Sequence, residues 1–139
     1  MAFDGLMTSS VAASLKESLL AGRINKIYQL SNHEILMQIR AQGKNQKVLF
    51  STHSSYARVQ ITKLDYQYPD EPPMFCMFLR KHLEGGIIYN IEQINHDRII
   101  KFTIRHINEL GDQMIKFLYI EIMGKHSNLI LTDAPHRIL

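Results

Sequence analysis

Arg98-Ile-Ile-Lys-Phe-Thr-Ile-Arg-His-Ile107 alternates residue by residue: Ile100, Phe102 and Ile104 fall on one side, Lys101, Thr103 and Arg105 on the other. A period of two sends successive side chains to opposite faces, so this stretch reads as a half-buried antiparallel strand. Polar turns bracket it, at Asn95-His96-Asp97 and at Asn108-Glu-Leu-Gly-Asp112. Further strands are expected at residues 87–94, 113–122 and 128–132. In a meander, successive turns alternate between the two ends of a sheet. The turns at 95–97 and 124–127 are therefore expected side by side at one end.

The N-terminal half has a similar layout. Met7, Val11, Leu15 and Leu19 recur every four residues and predict a helix over roughly residues 8–21, with Thr8 or Ser9 as its cap and Gly22 after its last turn. Strands are expected at 24–30, 34–40, 47–52 and 57–62. In the second of these, Ile35, Met37 and Ile39 oppose Glu34, Gln38 and Arg40. Glu71-Pro72-Pro73 then opens a second helix over 74–84, which ends at Gly85-Gly86, with Phe75, Phe78, Leu79 and Leu83 as its apolar stripe. A helix followed by four strands thus occurs twice. The expected fold is α+β: two packed antiparallel β-sheets, a β-sandwich of about eight strands, flanked by two or more helices.

The chain has 139 residues, 45% of them hydrophobic, which suits one domain with its own core and excludes a disordered polymer. Net charge is +3 with a pI near 9.0, which permits an anionic partner without requiring one. No apolar run approaches the ~20 residues of a membrane span, so no membrane partner is expected. The start lacks the basic and apolar regions of a secretory signal, and the single Cys76 cannot form an internal disulfide; both favour a reducing cytoplasm. The abrupt end after Ala134-Pro-His-Arg-Ile-Leu139 suggests a piece of a longer protein.

No nucleophile elbow, P-loop or dinucleotide fingerprint occurs, and the seven histidines lack zinc-pair spacing, so no catalytic residue, metal or cofactor is expected. Cys76 sits in an apolar helical run and reads as a small core residue. Three turns remain. Gly43-Lys44-Asn45-Gln46-Lys47, taken alone, reads as a solvated hairpin. Asn95-His96-Asp97-Arg98 reads as an Asx-type turn, and Gly124-Lys125-His126-Ser127-Asn128 as a tight turn with self-satisfied side chains. Their joint polarity, with one or two cations per turn, also fits a surface that contacts phosphates and riboses.

Pro72-Pro73-Met-Phe-Cys-Met-Phe-Leu-Arg-Lys-His-Leu-Glu-Gly-Gly86 and Glu121-Ile-Met-Gly-Lys-His-Ser-Asn-Leu-Ile-Leu-Thr-Asp133, together with Arg40-Ala-Gln-Gly-Lys-Asn-Gln-Lys47 and Gln93-Ile-Asn-His-Asp-Arg98, resemble the N-terminal domain of the NFACT family. The resemblance runs from Phe3 to Asp133. It implies one part of a multidomain ribosome quality control protein, a non-enzymatic module that binds tRNA and the large ribosomal subunit carrying a stalled peptidyl-tRNA. Bacterial members bring alanyl-tRNA for template-free tailing of the stalled chain. The family's Asp-Arg pair for tRNA engagement falls on Asp97 and Arg98. An arginine grips a phosphate or base edge with two N–H groups, and a neighbouring carboxylate can hold it in place. Lys125, His126, Ser127 and Asn128, with Lys44 and Lys47, are the candidates for supporting RNA contacts. Bacterial members are also called fibronectin-binding protein A, so a fibronectin-binding adhesin is the alternative.

The resemblance further implies a fold similar to the N-terminal domain of formamidopyrimidine-DNA glycosylases. Those enzymes carry a catalytic Pro-Glu at their N-terminus. This chain has Ala2-Phe3 there, so a glycosylase-like nucleic-acid-binding domain without lyase chemistry is a further alternative.

Overall fold

A computed structural model of the chain describes residues 5–52, 58–63, 66–68, 71–94, 98–107, 110–122, 128–133 and 137–138. The elements are α1 (Gly5–Leu19), β1 (Arg23–Ser31), β2 (Glu34–Ala41), β3 (Lys44–Ser51), β4 (Arg58–Thr62), α2 (Met74–Leu83), β5 (Ile87–Gln93), β6 (Ile99–Ile107), β7 (Gln113–Glu121), β8 (Asn128–Asp133) and the short β9 (Arg137–Ile138). All eight expected strands are present within a few residues of their expected bounds, and β9 adds a two-residue partner to β8.

The expectation of two separate sheets is corrected. Among the described residues the strands form one nine-stranded antiparallel sheet in the order β4-β3-β2-β1-β5-β6-β7-β8-β9. The first and second meanders meet where β1 and β5 begin, with Arg23 opposite Ile87. Backbone bonds secure the seam in both directions. Ala21 N donates to Ile88 O (2.8 Å) and Ile88 N to Gly22 O (2.8 Å); Gly85 N donates to Ile24 O (2.7 Å) and Ile24 N to Gly86 O (2.9 Å). The two pairs are equivalent under one constant offset, which relates Ala21 to Gly85, Gly22 to Gly86 and Ile24 to Ile88.

The helices follow the same correspondence. Among the described side chains, Ala12, Leu15 and Leu19 are the buried residues of α1, and Cys76, Leu79 and Leu83 those of α2. Each helix packs mainly on a strand of the opposite half, α1 on β5 and α2 on β1. Full burial of a leucine such as Leu19 or Leu83 contributes about 1.5–3 kcal/mol. The expected α2 stripe is shifted accordingly. Phe75 is 40% exposed and Phe78 only partly buried, while Cys76, at 1%, faces the core with its thiol donating to Ile27 O (3.5 Å).

The sheet folds over on itself. Phe50 of β3 and Phe102 of β6 have ring centroids 5.3 Å apart. In the strand order they are four spacings apart, roughly 19 Å in a flat sheet. The inner faces of the two halves therefore pack against each other around a shared core while the backbone ladder stays continuous.

Close approach at the seam explains two small residues. A Cβ on Gly22 would lie 2.8 Å from Ile39 Cγ2 and from Leu19 O; one on Gly86 would lie 2.6 Å from Ile104 Cγ2 and 3.0 Å from Leu83 O. Gly86→Ala is therefore expected to lower unfolding free energy by about 1–3 kcal/mol, the range for overpacking a well-filled site. Denaturant unfolding measures this, and a variant as stable as the parent would contradict the close approach. Ala21 is a contrasting case, because it holds a left-handed φ of 65° where its counterpart is Gly85 (φ 86°). Ala21→Gly relieves about 1–2 kcal/mol of backbone strain against a smaller entropic loss, so a modest rise in stability is expected in the same assay.

Candidate nucleic-acid interface

The β5–β6 and β7–β8 connections leave the sheet at the same end. Ile94 N donates to Ile99 O (3.0 Å), and Ile122 N donates to Arg98 O (2.8 Å). Ile99 pairs with Glu121, and Glu121 with Asn128. The backbone of Arg98 is thus bonded directly to the residue that ends the Glu121-Ile122 stretch, and Asn128 opens the adjacent strand. Three sequence segments that are separate in the chain meet along one edge. Arg98 is half-buried. Asp97, Lys125, His126 and Ser127, and the side chain of Asn128, lie outside the described residues.

Lys44 and Lys47 are placed elsewhere. The hairpin between β2 and β3 turns at Gln42 and Gly43, both with positive φ (53° and 73°), the pattern of a two-residue turn that matches strand twist. Lys44 is already the first residue of β3, opposite Ala41, and Lys47 lies opposite Gln38. Lys44 is exposed and Lys47 half-buried. Their end of β2 is the end that pairs with the start of β1 at the seam. Arg98 is at the far end of β6 from the seam, roughly 23 Å from Arg105 along the strand. The lysines and Arg98 therefore do not form one cluster.

Two of the tyrosines pack against each other. Tyr28 and Tyr68 stack with centroids 4.0 Å apart, and Arg80 lies 5.6 Å from the Tyr28 ring. Arg80 also donates through Nε to Ile27 O (2.8 Å) and sits 3.7 Å from Glu84. Tyr89 differs, being 61% exposed.

Sequence reasoning missed a polar group under α2. Lys116 and Asp133 are register partners, 6% and 3% exposed, on the inner face of the second half. His106 is on the same face, with Nε2 3.0 Å from Glu84 O. His82 faces them from α2 against Phe78. The single lysine and aspartate are far apart in the chain, and only the β7–β8 register brings them together. Among the described residues no group of three or more His, Cys, Asp or Glu is placed to hold a metal ion, and no helix is long and apolar enough to cross a membrane.

The model of the family described as NFACT N-terminal and middle domains matches residues 4–139. The chain belongs to the NFACT family. It is 53% identical over 139 residues to the Rqc2 homolog RqcH of Bacillus subtilis (strain 168), a match that takes in 100% of this chain and 24% of that protein. It is 28% identical over 137 residues to the human ribosome quality control complex subunit NEMF, covering 99% of this chain and 12% of NEMF. Among solved structures, the N-terminal part of the fibronectin/fibrinogen-binding protein from Streptococcus suis superposes with a TM-score of 0.96 at 43% identity, over 99% of this chain and 52% of that one. This NFACT chain thus spans about a quarter of the length of its bacterial relative.

The environment of His82 generates a pH dependence. Burial holds its pKa below the usual 6.5, reinforced by the charges of Lys116 and Lys81 and by His106 and opposed by Asp133. Above 6.5 the imidazole is neutral in both folded and unfolded chains, and its contribution to stability is fully present. As pH falls below 6.5 the unfolded chain takes up the proton first, so stability declines until pH has passed through the lower folded value. Melting temperatures between pH 7 and pH 5 should therefore fall more steeply for the parent than for His82→Gln. Parallel curves would contradict this placement of His82.

Proposed function

We propose that this chain is the tRNA- and ribosome-binding module of a bacterial ribosome quality control factor. In this reading it brings alanyl-tRNA to obstructed large subunits, where stalled nascent chains receive a C-terminal tail without an mRNA template. The module performs no catalysis; peptide-bond chemistry stays with the ribosome, and the work is cytoplasmic. The observation that carries the reading is 53% identity to RqcH across the whole chain. The geometry is compatible with it, since Arg98 sits at an edge where three strand ends converge. Asp97 and Arg98 are the primary tRNA contacts, with Lys125, His126, Ser127 and Asn128 in the adjacent connection as supports. Lys44 and Lys47, at the other end, would touch a different part of the RNA.

Arg98→Ala is expected to weaken tRNA binding by about 1–3 kcal/mol, the worth of one bidentate contact, while the thermal melt stays within a degree or two of the parent. Fluorescence anisotropy with labelled tRNA measures it. Unchanged affinity in an equally stable variant would remove Arg98 from the site.

A fibronectin-binding role is the second reading, and the name of the Streptococcus suis neighbour favours it. Retention on immobilised fibronectin, unaffected by excess tRNA and by Arg98→Ala, would support it over the first. A third reading is a glycosylase-like nucleic-acid-binding domain without lyase chemistry, since Ala2-Phe3 stands where the catalytic pair would be. Incubation with oxidised-base duplex DNA is expected to give no strand cleavage.

A further inference from the structure

The β1–β5 seam brings together three arginines that are remote in sequence. Arg40 pairs with Arg23, Arg23 with Ile87, and Ile87 with Arg105. Residues directly opposite in antiparallel strands point to the same face. The next residues along, Ile39, Ile24, Ile88 and Ile104, are buried at 1% each, so the row itself points outward, and all three arginines are exposed. Neighbouring strands lie about 4.8 Å apart, which puts Arg40 and Arg23 about 5 Å apart and Arg23 and Arg105 about 10 Å apart at the backbone.

Charge balance does not account for this row. Like charges directly opposite on paired strands destabilise the pair, and Arg23 and Arg40 are directly opposite. Among the described residues none of the three makes an ion pair. Arg40 donates instead to Asn45 Oδ1 (3.3 Å). With its amide oriented to satisfy both groups, Gln113 Oε1 accepts from Arg105 Nε (2.8 Å) and Nη2 (3.0 Å). These neutral acceptors hold the guanidinium groups of Arg40 and Arg105 without neutralising them. Glu84 also lines the pocket beside the row; its carboxylate accepts from Ile27 N (3.2 Å) and sits 3.7 Å from Arg80.

The row borders an open pocket of about 610 Å³, lined by Arg23, Gly85, Ile87, Arg105, His106 and Gln113 among others. Arg105 lies 5.5 Å from the centroid of the exposed Tyr89 ring. A cationic row beside an exposed aromatic is the combination that binds a nucleic-acid strand, with phosphates on the arginines and a base or ribose on the ring.

We propose that the outer face of the β1–β5 seam is a second RNA-contact surface, in which Arg40, Arg23 and Arg105 hold phosphates of one RNA strand and Tyr89 stacks beside them. The surface lies at the opposite end of β6 from Arg98, so the two sites grip separate stretches of RNA. The identity of the polyanion rests on the RNA-binding reading above; the row, its exposure and its lack of ion pairs among the described residues do not.

The test is tRNA binding by the chain between 50 and 200 mM salt, comparing the parent, Arg23→Gln/Arg105→Gln, Arg40→Gln and Arg98→Ala. Each phosphate contact contributes about 0.7–0.9 to the slope of log affinity against log salt. The double variant is expected to lose about 1.4–1.8 of that slope and at least tenfold in affinity at the lower salt, and Arg40→Gln about 0.7–0.9 of slope. Arg40→Gln changes one exposed side chain, so it decides the matter if the double variant fails to fold. Charge-conserving Arg23→Lys/Arg105→Lys should keep most of the slope. If the Gln variants match the parent in slope and affinity while Arg98→Ala weakens binding, the second surface is wrong and the first reading stands. A parent that binds no tRNA overturns both. Displacement of tRNA by polyglutamate as effectively as by unlabelled tRNA would overturn the assignment to RNA.

Discussion

The backbone bonds that cross between Ala21–Ile24 and Gly85–Ile88 are the constraint on which the rest depends. They join two meanders that would otherwise be separate sheets. They also require the chain to leave each helix, reverse within a few residues and enter a strand against its counterpart. That reversal places left-handed backbone at Ala21 and Gly85 and leaves no room for a side chain at Gly22 or Gly86. Because the two strands overlap only at their starts, they run away from the seam in opposite directions. Each meander carries its own hairpins outward, and the ends of β5 to β8 are left to converge at Arg98, Ile122 and Asn128.

Much of this was legible in the sequence. The alternation of Ile100, Phe102 and Ile104 against Lys101, Thr103 and Arg105 appears unchanged in the burial of β6. Antiparallel order within each meander follows from short polar turns, and so does the expectation that the 95–97 and 124–127 turns lie at one end; the bond from Ile122 to Arg98 places their flanks side by side. The joining of the sheets was not legible. It depends on one register pair, Arg23 with Ile87, between segments with no local relation, and alternation within a strand says nothing about its neighbour. In α2 the expected burial of Cys76, Leu79 and Leu83 holds, and Phe75 is the exception at 40% exposed; the helix turns Cys76 toward β1, where its thiol meets Ile27 O.

The candidate site divides the same way. Asp97 and Arg98 are candidates through the family resemblance, which a dipeptide in a turn can carry because it is a local pattern. Arg23, Arg40 and Arg105 were individually ordinary outward residues of three strands. They become a charged row only when β2, β1, β5 and β6 are set edge to edge, and Lys116 meets Asp133 only through the β7–β8 register. The chain's membership of the NFACT family is not given by geometry alone, and the proposed RNA ligand for Arg98 rests on that membership.

Photo-crosslinking of tRNA to the chain, with the attachment points read by mass spectrometry, tests the central claim most directly. Attachment concentrated in the peptides that join β5 to β6 and β7 to β8 is the predicted result. Attachment confined to α1 and the exposed face of α2, with none in those connections, would contradict it.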